Sequence, residues 1–515
     1  MPMKPTQLAV PAGTKPIGYA RLIAERKLSV LPPFRLSFIG RGVPQDIRED
    51  GQQRRILPVQ NDPGDSDAAH LEFAIKHEGV NLEVLEAYFA LRGTAVEDEL
   101  TRIVRSTPTG VFARRLWCLY EWLTGRRLPL PDMTVGNYQP LLDPEHHVTL
   151  DGRERFKRQR LFDNLLGVRD FCPMVRRTEA LIAQEDGHLA AAISQLVKNY
   201  GEDVIRRAVN YLYTRETRSS FEIEHERPDD KRIDRYMALL RTVPGIAQWN
   251  EQELVRIQNE TVEPRFGEGS FRTEQNYVGE TIGLDREKVH YLPPRPEEIR
   301  TLMLGWLATA AKLSGTKIDP VVHAGLLSFA FVFLHPFLDG NGRMHRLLIH
   351  HVLSRRGFFP PGLIFPVSAV IMRKAREYDD CLESFSRPVM SLLDYEMDGE
   401  GRVTIAENTS SLYRFPDLTR MVEDLHRWVG DTVDTDFRNE LDFVVEIQKV
   451  QEEIRRIVDL PDRQLRLFIR IAAHNGGRIS SAKRSQFDML ADSEIAAMED
   501  VVKRHLPKLS AAALS

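Results

Sequence analysis

The sequence predicts a mainly α-helical, multi-domain protein with a small β element, and three observations carry that prediction. Apolar residues recur at helical spacing through most of the chain: about residues 69–130, 188–243 and 292–397, and again over the last hundred residues. One stretch, about 264–292, shows strand-like alternation and turn residues instead. The 515 residues, at about 150 per domain, suffice for two to four domains.

Residues 1 to about 65 are rich in Pro, Gly and Asp with weak periodicity, and NDPGDSD (61–67) reads as an exposed loop. Leu82, Val84, Leu85, Tyr88 and Leu91 share a helical spacing, as do Leu116, Leu119, Tyr120 and Leu123, with Trp117 and Trp122 read as core. RLPLPD (127–132) breaks that run. The polar stretch after it holds the densest local positive charge, Arg153 to Arg160, read as a solvated surface. A long helical block over 188–243 precedes a β-hairpin at about 277–291, turning at GLD (283–285). LPPRPEE then suits the start of the next helix. The C-terminal pattern runs through Leu441, Val444, Val445 and Ile447 to Ile454, Ile457 and Val458. No repeat of 20–50 residues is visible. The expected domains are 1–190, partly irregular then helical; 191–400; and a helical 401–515.

Composition narrows the function classes. There are 70 Lys+Arg against 74 Asp+Glu, a net charge of −4, which speaks against bulk binding to nucleic acid or anionic membrane. The 3 cysteines, Cys118, Cys172 and Cys381, make neither a disulfide framework nor a zinc spacing, so a reducing compartment is expected. The N-terminus lacks a continuous apolar core of a secretory signal, and no run reaches about 18 apolar residues. A soluble, cytoplasmic protein is the expectation.

The chemistry concentrates in DPVVHAGLLSFAFVFLHPFLDGNGRMHRLLIHHVLSRRGFFPP (319–361). Asp319 is placed to cap a helix with Pro320 at its first position, and Val321 to Leu334 is apolar nearly all round, as a buried helix requires. A polar turn from His335 follows. A second helix begins near Gly342, with Met344, Leu347, Leu348 and Val352 on one face, and stops at Gly357. Gly340 and Gly342 let backbone N–H groups approach a ligand at a helix N-terminus, where phosphate binds. Arg343 and Arg346, three apart, can fork onto phosphate oxygens. Asp339 is a hard oxygen ligand of the kind Mg²⁺ shares with nucleotide phosphates. His335 can take a proton from an incoming hydroxyl near neutral pH. Base, metal ligand, anion hole and two arginines point to phosphoryl or nucleotidyl transfer. His345, His350 and His351 have no ligand spacing with acids and read as helix-surface or packing residues.

His335 to Arg346 matches HPFxDGNGRxxR throughout, and on that motif the region 200–400 resembles a Fic domain. The resemblance implies an α-helical domain that transfers AMP from ATP, with Mg²⁺, to a Ser, Thr or Tyr hydroxyl of a target protein, self-modification included. It implies His335 as general base, Asp339 as Mg²⁺ ligand, Gly340, Asn341 and Gly342 as anion hole, and Arg343 and Arg346 on the ATP phosphates. Kinase-type relatives carry Ala–Asn–Lys in the loop where this chain has Gly340-Asn341-Gly342. Phosphocholine transfer, UMP transfer and removal of AMP stay open, as does a non-enzymatic or DNA-binding role for the C-terminal helices around 460–480.

Ser220-x-x-x-Glu224 resembles the family's inhibitory helix motif, near 217–226, and implies a Glu224–Arg346 pair that keeps the γ-phosphate from seating. His225 stands where the family has Gly or Asn. The hairpin takes the place of the family's flap, which aligns a target segment by strand addition. Tyr378 and Ser386 fall where related proteins contact adenine. The sequence sets neither the target nor the oligomeric state.

Overall fold

The computed structural model describes residues 3–49, 51–152, 154–184, 187–283 and 286–508. Its elements are mostly helical, as the periodicity predicts. The first quarter departs from that. Strands β1 (Lys15–Ile17), β2 (Arg35–Ile39), β3 (Gln45–Glu49) and β4 (Gln52–Leu57) form a sheet in the order β1-β2-β4-β3, with helix α1 (Gly18–Arg26) between β1 and β2. The β2–β4 pair is parallel and its two neighbours are antiparallel. No sheet is legible in the sequence here, because the strands are short and β4 reads QQRRIL, without an apolar alternation.

Helices α2 (Asp67–His77), α3 (Leu82–Arg92), α4 (Glu97–Ser106) and α5 (Val111–Thr124) then pack around Leu71, Leu85, Trp117 and Tyr120. Ser66 and Asn81 cap the first two by accepting from Ala69 and Val84 N–H. The basic stretch carries short strands β5 (Gln139–Pro140), β6 (Glu154–Phe156) and β7 (Leu161–Asp163), in the order β5-β7-β6. Arg153 lies outside the described residues. A short α6 (Glu179–Ile182) follows.

The predicted block at 188–243 is three helices, α7 (His188–Tyr200), α8 (Glu202–Ile223) and α9 (Asp230–Thr242), divided at Gly201 and after His225. Asp229 caps α9. Next come α10 (Glu251–Thr261), the antiparallel hairpin β8 (Val278–Gly283) and β9 (Arg286–Tyr291), α11 (Pro296–Ser314), α12 (Pro320–Leu334) and α13 (Asn341–Arg355). The turn at Leu284 and Asp285 lies outside the described residues. The chain continues with α14 (Val367–Arg373), α15 (Ala375–Leu392), a small pair β10 (Glu396–Met397) and β11 (Val403–Thr404), α16 (Ser410–Arg414), α17 (Thr419–Asp431), α18 (Arg438–Arg455), α19 (Asp462–His474), α20 (Ser481–Arg484) and α21 (Asp492–His505).

Two compact units emerge, each assembled from separated stretches of chain. The first comprises 1–183, 246–349 and 376–425; the second comprises 184–245, 350–375 and 426–515. In the first, α12 is buried from Val321 to Leu334, with Asp319 accepting from the N–H groups of Val321 and Val322. Trp306 of α11 donates to the Leu327 carbonyl at 3.1 Å, and Gly325 lets Val422 of α17 approach closely. In the second, His505 of α21 bridges Glu446 and Glu453 of α18. The three cysteines are buried. Among the described residues, no helix is long and apolar enough to cross a membrane.

Candidate active site

Helix α12 ends at His335, which adopts a left-handed conformation (φ 50, ψ 58). Its amide donates to the Phe331 carbonyl at 3.0 Å, closing the helix. Its Nδ1 lies 2.9 Å from the Val332 carbonyl oxygen. A carbonyl only accepts, so Nδ1 carries a hydrogen, and in the neutral ring the lone pair sits on Nε2. That is the tautomer a base needs.

From His335 to Arg343 the chain turns back into α13, and side chains hold the turn almost atom by atom. Asn341 binds Phe337 both ways: Oδ1 accepts from its N–H at 3.1 Å and Nδ2 donates to its carbonyl at 2.7 Å. Asp339 Oδ1 accepts from the Gly340 amide at 2.5 Å and from Arg343 at 3.0 Å, and Arg343 also donates to the Thr261 carbonyl at 3.2 Å. A Cβ on Gly340 (φ 86) would come within 2.8 Å of Val262 Cγ1, so only glycine fits there. Asn341 and Gly342 open α13, and their N–H groups therefore lack acceptors within the helix. Arg343 and Arg346 are 2% and 1% exposed.

Residues that the sequence analysis missed hold this turn from the segment 258–276. Gln258 donates to the Asp339 carbonyl at 3.3 Å, and Glu268 accepts from the Leu338 N–H at 2.7 Å. Arg272 Nε donates to the His335 carbonyl at 2.8 Å, and Asn276 donates to the Phe337 carbonyl at 2.9 Å. Burial, aided by nearby Asp339, raises the Glu268 carboxyl above the usual carboxylate range despite its backbone hydrogen bonds. Gln258 lies on the buried face of α10 and the other three lie in irregular chain, and nothing local tells that they reach main-chain atoms of a distant turn.

Asp339 keeps a partly exposed side chain beside the α13 N-terminus. One carboxylate suits Mg²⁺ that arrives with phosphate oxygens. A closed protein cage is not built here: among the described residues no cluster of three metal-ligating side chains exists. Tyr378 is 6% exposed, with its ring 6.2 Å from that of His345, and Ser386 is likewise buried. His345, His350 and His351 are all buried, so packing holds and the helix-surface alternative does not. His345 meets Phe329 edge-on at 4.7 Å.

Ser220 and Glu224 belong to the second unit, on α8. Ser220 is buried, 3.4 Å from the Tyr236 hydroxyl. Glu224 is the exposed C-cap residue, and His225 after it is left-handed (φ 57). The His225 amide donates to Glu222 and that of Glu226 to Phe221, a complete Schellman closure. Glycine and asparagine tolerate that conformation best, which accounts for the family preference this chain departs from. Glu216, one turn earlier, carries no signal in the sequence. It is fully buried, 2.7 Å from His350 Nε2, and accepts from the Ser368 amide at 2.9 Å and from the Ser368 hydroxyl. Burial opposes its ionisation, but His350 and Ser368 outweigh that and hold the carboxyl below its ordinary value.

A helical domain closed on a glycine-bearing turn at a helix N-terminus is the class this site defines. The chain carries a Fic domain: residues 248–353 match the model of the Fic/DOC family. Residues of the chain are 36% identical over 103 positions to the protein adenylyltransferase Fic of Drosophila melanogaster, and equally to that of Drosophila sechellia. The alignment covers 20% of this chain and 18% of each relative, so the likeness spans less than a fifth of those proteins. Among solved structures, a Fic family protein from Desulfovibrio desulfuricans G20 aligns over 62% of this chain and 86% of its own, at 20% identity and a TM-score of 0.37. A Fic domain containing signaling protein from Bacteroides thetaiotaomicron aligns over 50% and 96%, at 16% identity and a TM-score of 0.35.

Proposed function

We propose that the protein is an adenylyltransferase that moves AMP from Mg-ATP to a Ser, Thr or Tyr hydroxyl of a protein target, with its own hydroxyls among the acceptors. One observation carries the reading most: the Nδ1–Val332 contact places a hydrogen on Nδ1, so that in the neutral ring of His335 the lone pair sits on Nε2. Nε2 takes the hydroxyl proton as the oxygen attacks the α-phosphorus, and the bond to the β-phosphate oxygen breaks to release pyrophosphate. The N–H groups of Asn341 and Gly342, with Gly340 shaping the turn, receive phosphate oxygens. Arg346 supplies positive charge to the phosphates; Arg343 acts mainly by fixing Asp339, to which it is already bonded. Asp339 would hold Mg²⁺, which neutralises phosphate charge when bound. Tyr378 and Ser386 fall to the adenine side.

Glu224 restrains this activity in our reading, by competing with the γ-phosphate for Arg346, while Ser220 anchors the same helix. A carboxylate at the C-terminus of α8 opposes the helix dipole, so that position is costly for stability alone. The test is label transfer from α-³²P-ATP by the intact protein, Glu224→Gly and Glu224→Gly/His335→Ala. Losing a charge-assisted competitor worth about 1.5–3 kcal/mol raises labelling on the order of tenfold or more in the first variant. His335→Ala abolishes it. Equal labelling by the intact protein and Glu224→Gly would sink the restraint, and silence in both would sink the activity.

A further inference from the structure

We propose that Arg272 is the positioning residue for the His335 base, fixing the main chain of that turn and tying it to the foot of the β8–β9 hairpin. The inference rests on the transfer reading above and adds a residue outside the motif. Arg272 is 3% exposed, and its side-chain hydrogen bonds go to carbonyl oxygens. Its guanidinium is spent on three of them: Nε on His335 at 2.8 Å, one terminal nitrogen on Glu274 at 3.0 Å, the other on Pro294. Its own amide donates to the Pro336 carbonyl at 2.8 Å. Burial lowers the guanidinium pKa to about 10 and outweighs Glu268 and Glu297, which lie near enough to favour its charge, so packing alone is a poor reason to keep arginine here.

The geometry supplies a better reason. His335 is held in the left-handed region, which costs about 1–2 kcal/mol for a residue with a Cβ. Phe331 fixes its amide side, and Arg272 fixes its carbonyl side. With both peptide planes held, the ring reaches Val332 through Nδ1, and in the neutral ring Nε2 keeps the lone pair. Removing the carbonyl clamp lets ψ relax and the ring leave Val332, which mixes the tautomers. Pro294 lies three residues beyond β9, so the same fork ties the foot of the hairpin to the base. A lysine offers a single ammonium in place of this planar fork.

The test uses the full chain carrying Glu224→Gly, with ¹⁵N-histidine labelling, and His335→Ala to identify the His335 signals. Arg272→Lys is expected to lower kcat for AMP transfer about tenfold or more while KM for ATP stays within about twofold, because positioning is lost and phosphate binding is kept. The His335 Nδ1–H signature is expected to give way to a tautomer mixture. An unchanged His335 signature in Arg272→Lys overturns the proposal. Leu100→Ala, a core truncation in α4, serves as the stability control. The same loss of signature in Leu100→Ala, compared at equal distance below its melting temperature, also overturns it. A parent protein that transfers no AMP, yet shows the signature shift in Arg272→Lys, defeats the transfer reading and leaves the positioning role standing.

Discussion

Two helices of this protein end on a histidine in the left-handed conformation, and they are supported quite differently. His335 closes α12 at φ 50; its carbonyl is clamped by Arg272, its ring by Val332, and the turn beyond it by Asn341, Glu268, Gln258 and Asn276. His225 follows α8 at φ 57; two main-chain bonds of the Schellman closure hold it, and its side chain is exposed. The backbone cost is similar at both ends. What differs is how much of the surrounding structure is committed to keeping it. Strain backed by a dense set of side-chain bonds marks a place where an atom must be aimed. Strain backed only by a helix closure marks a place where the chain tolerates an awkward residue.

Replacing each histidine by glycine separates the two most sharply. His335→Gly is expected to cut AMP transfer by roughly 10²–10⁴-fold, the worth of a positioned general base, without lowering the melting temperature. Comparable transfer by this variant would show that the aimed imidazole is not the base. Next in size is Glu216→Gln, on the helix that ends at His225. Removing the buried carboxylate that His350 and Ser368 hold costs about 3 kcal/mol. The folded carboxyl titrates below its unfolded value, so this stabilisation is present above an unfolded pKa of about 4.3 and is lost as pH falls through the folded value. Thermal melts should therefore show a wide gap between wild type and Glu216→Gln at pH 7 that narrows below about pH 4; a gap independent of pH would contradict the charge assignment.

Asn341→Ala removes both bonds to Phe337 and should cost about 2 kcal/mol by chemical denaturation, with transfer reduced as the turn loosens. Unchanged stability would mean that the turn is held by its other partners alone. The smallest effect belongs to His225→Gly. It should gain about 1 kcal/mol by relieving the left-handed strain, with transfer kept within about threefold. A loss of stability would show that the His225 side chain contributes more than its backbone costs.

Much of the site was legible because its residues fall within twelve positions. His335, Asp339, Gly340, Asn341, Gly342, Arg343 and Arg346 need only a turn and a helix start to come together, and both are written in local residue types. Asp319 and Pro320 likewise announced the start of α12. Their individual roles read less directly: Asn341 and Arg343 spend their side chains on the turn itself. The holders of the turn left no trace, since Gln258, Glu268, Arg272 and Asn276 act across 61 to 81 residues and mostly on main-chain atoms. A carbonyl oxygen looks the same whatever side chain accompanies it, so no pattern pairs donor with acceptor.

The sequence by itself determined the helical class, a hairpin at about 277–291, the buried helix α12 and the Fic motif that follows it. Each depends on spacing along the chain, which 3.6-residue and two-residue periodicities and cap residues encode directly. Only the tertiary structure decided the four-stranded sheet of residues 15–57, the division of the chain into two interleaved units, the Glu216–His350 pair and the grip of Arg272 on His335. Those features depend on which distant segments meet, and the desolvation that makes such meetings strong or costly exists only once the chain has closed over them.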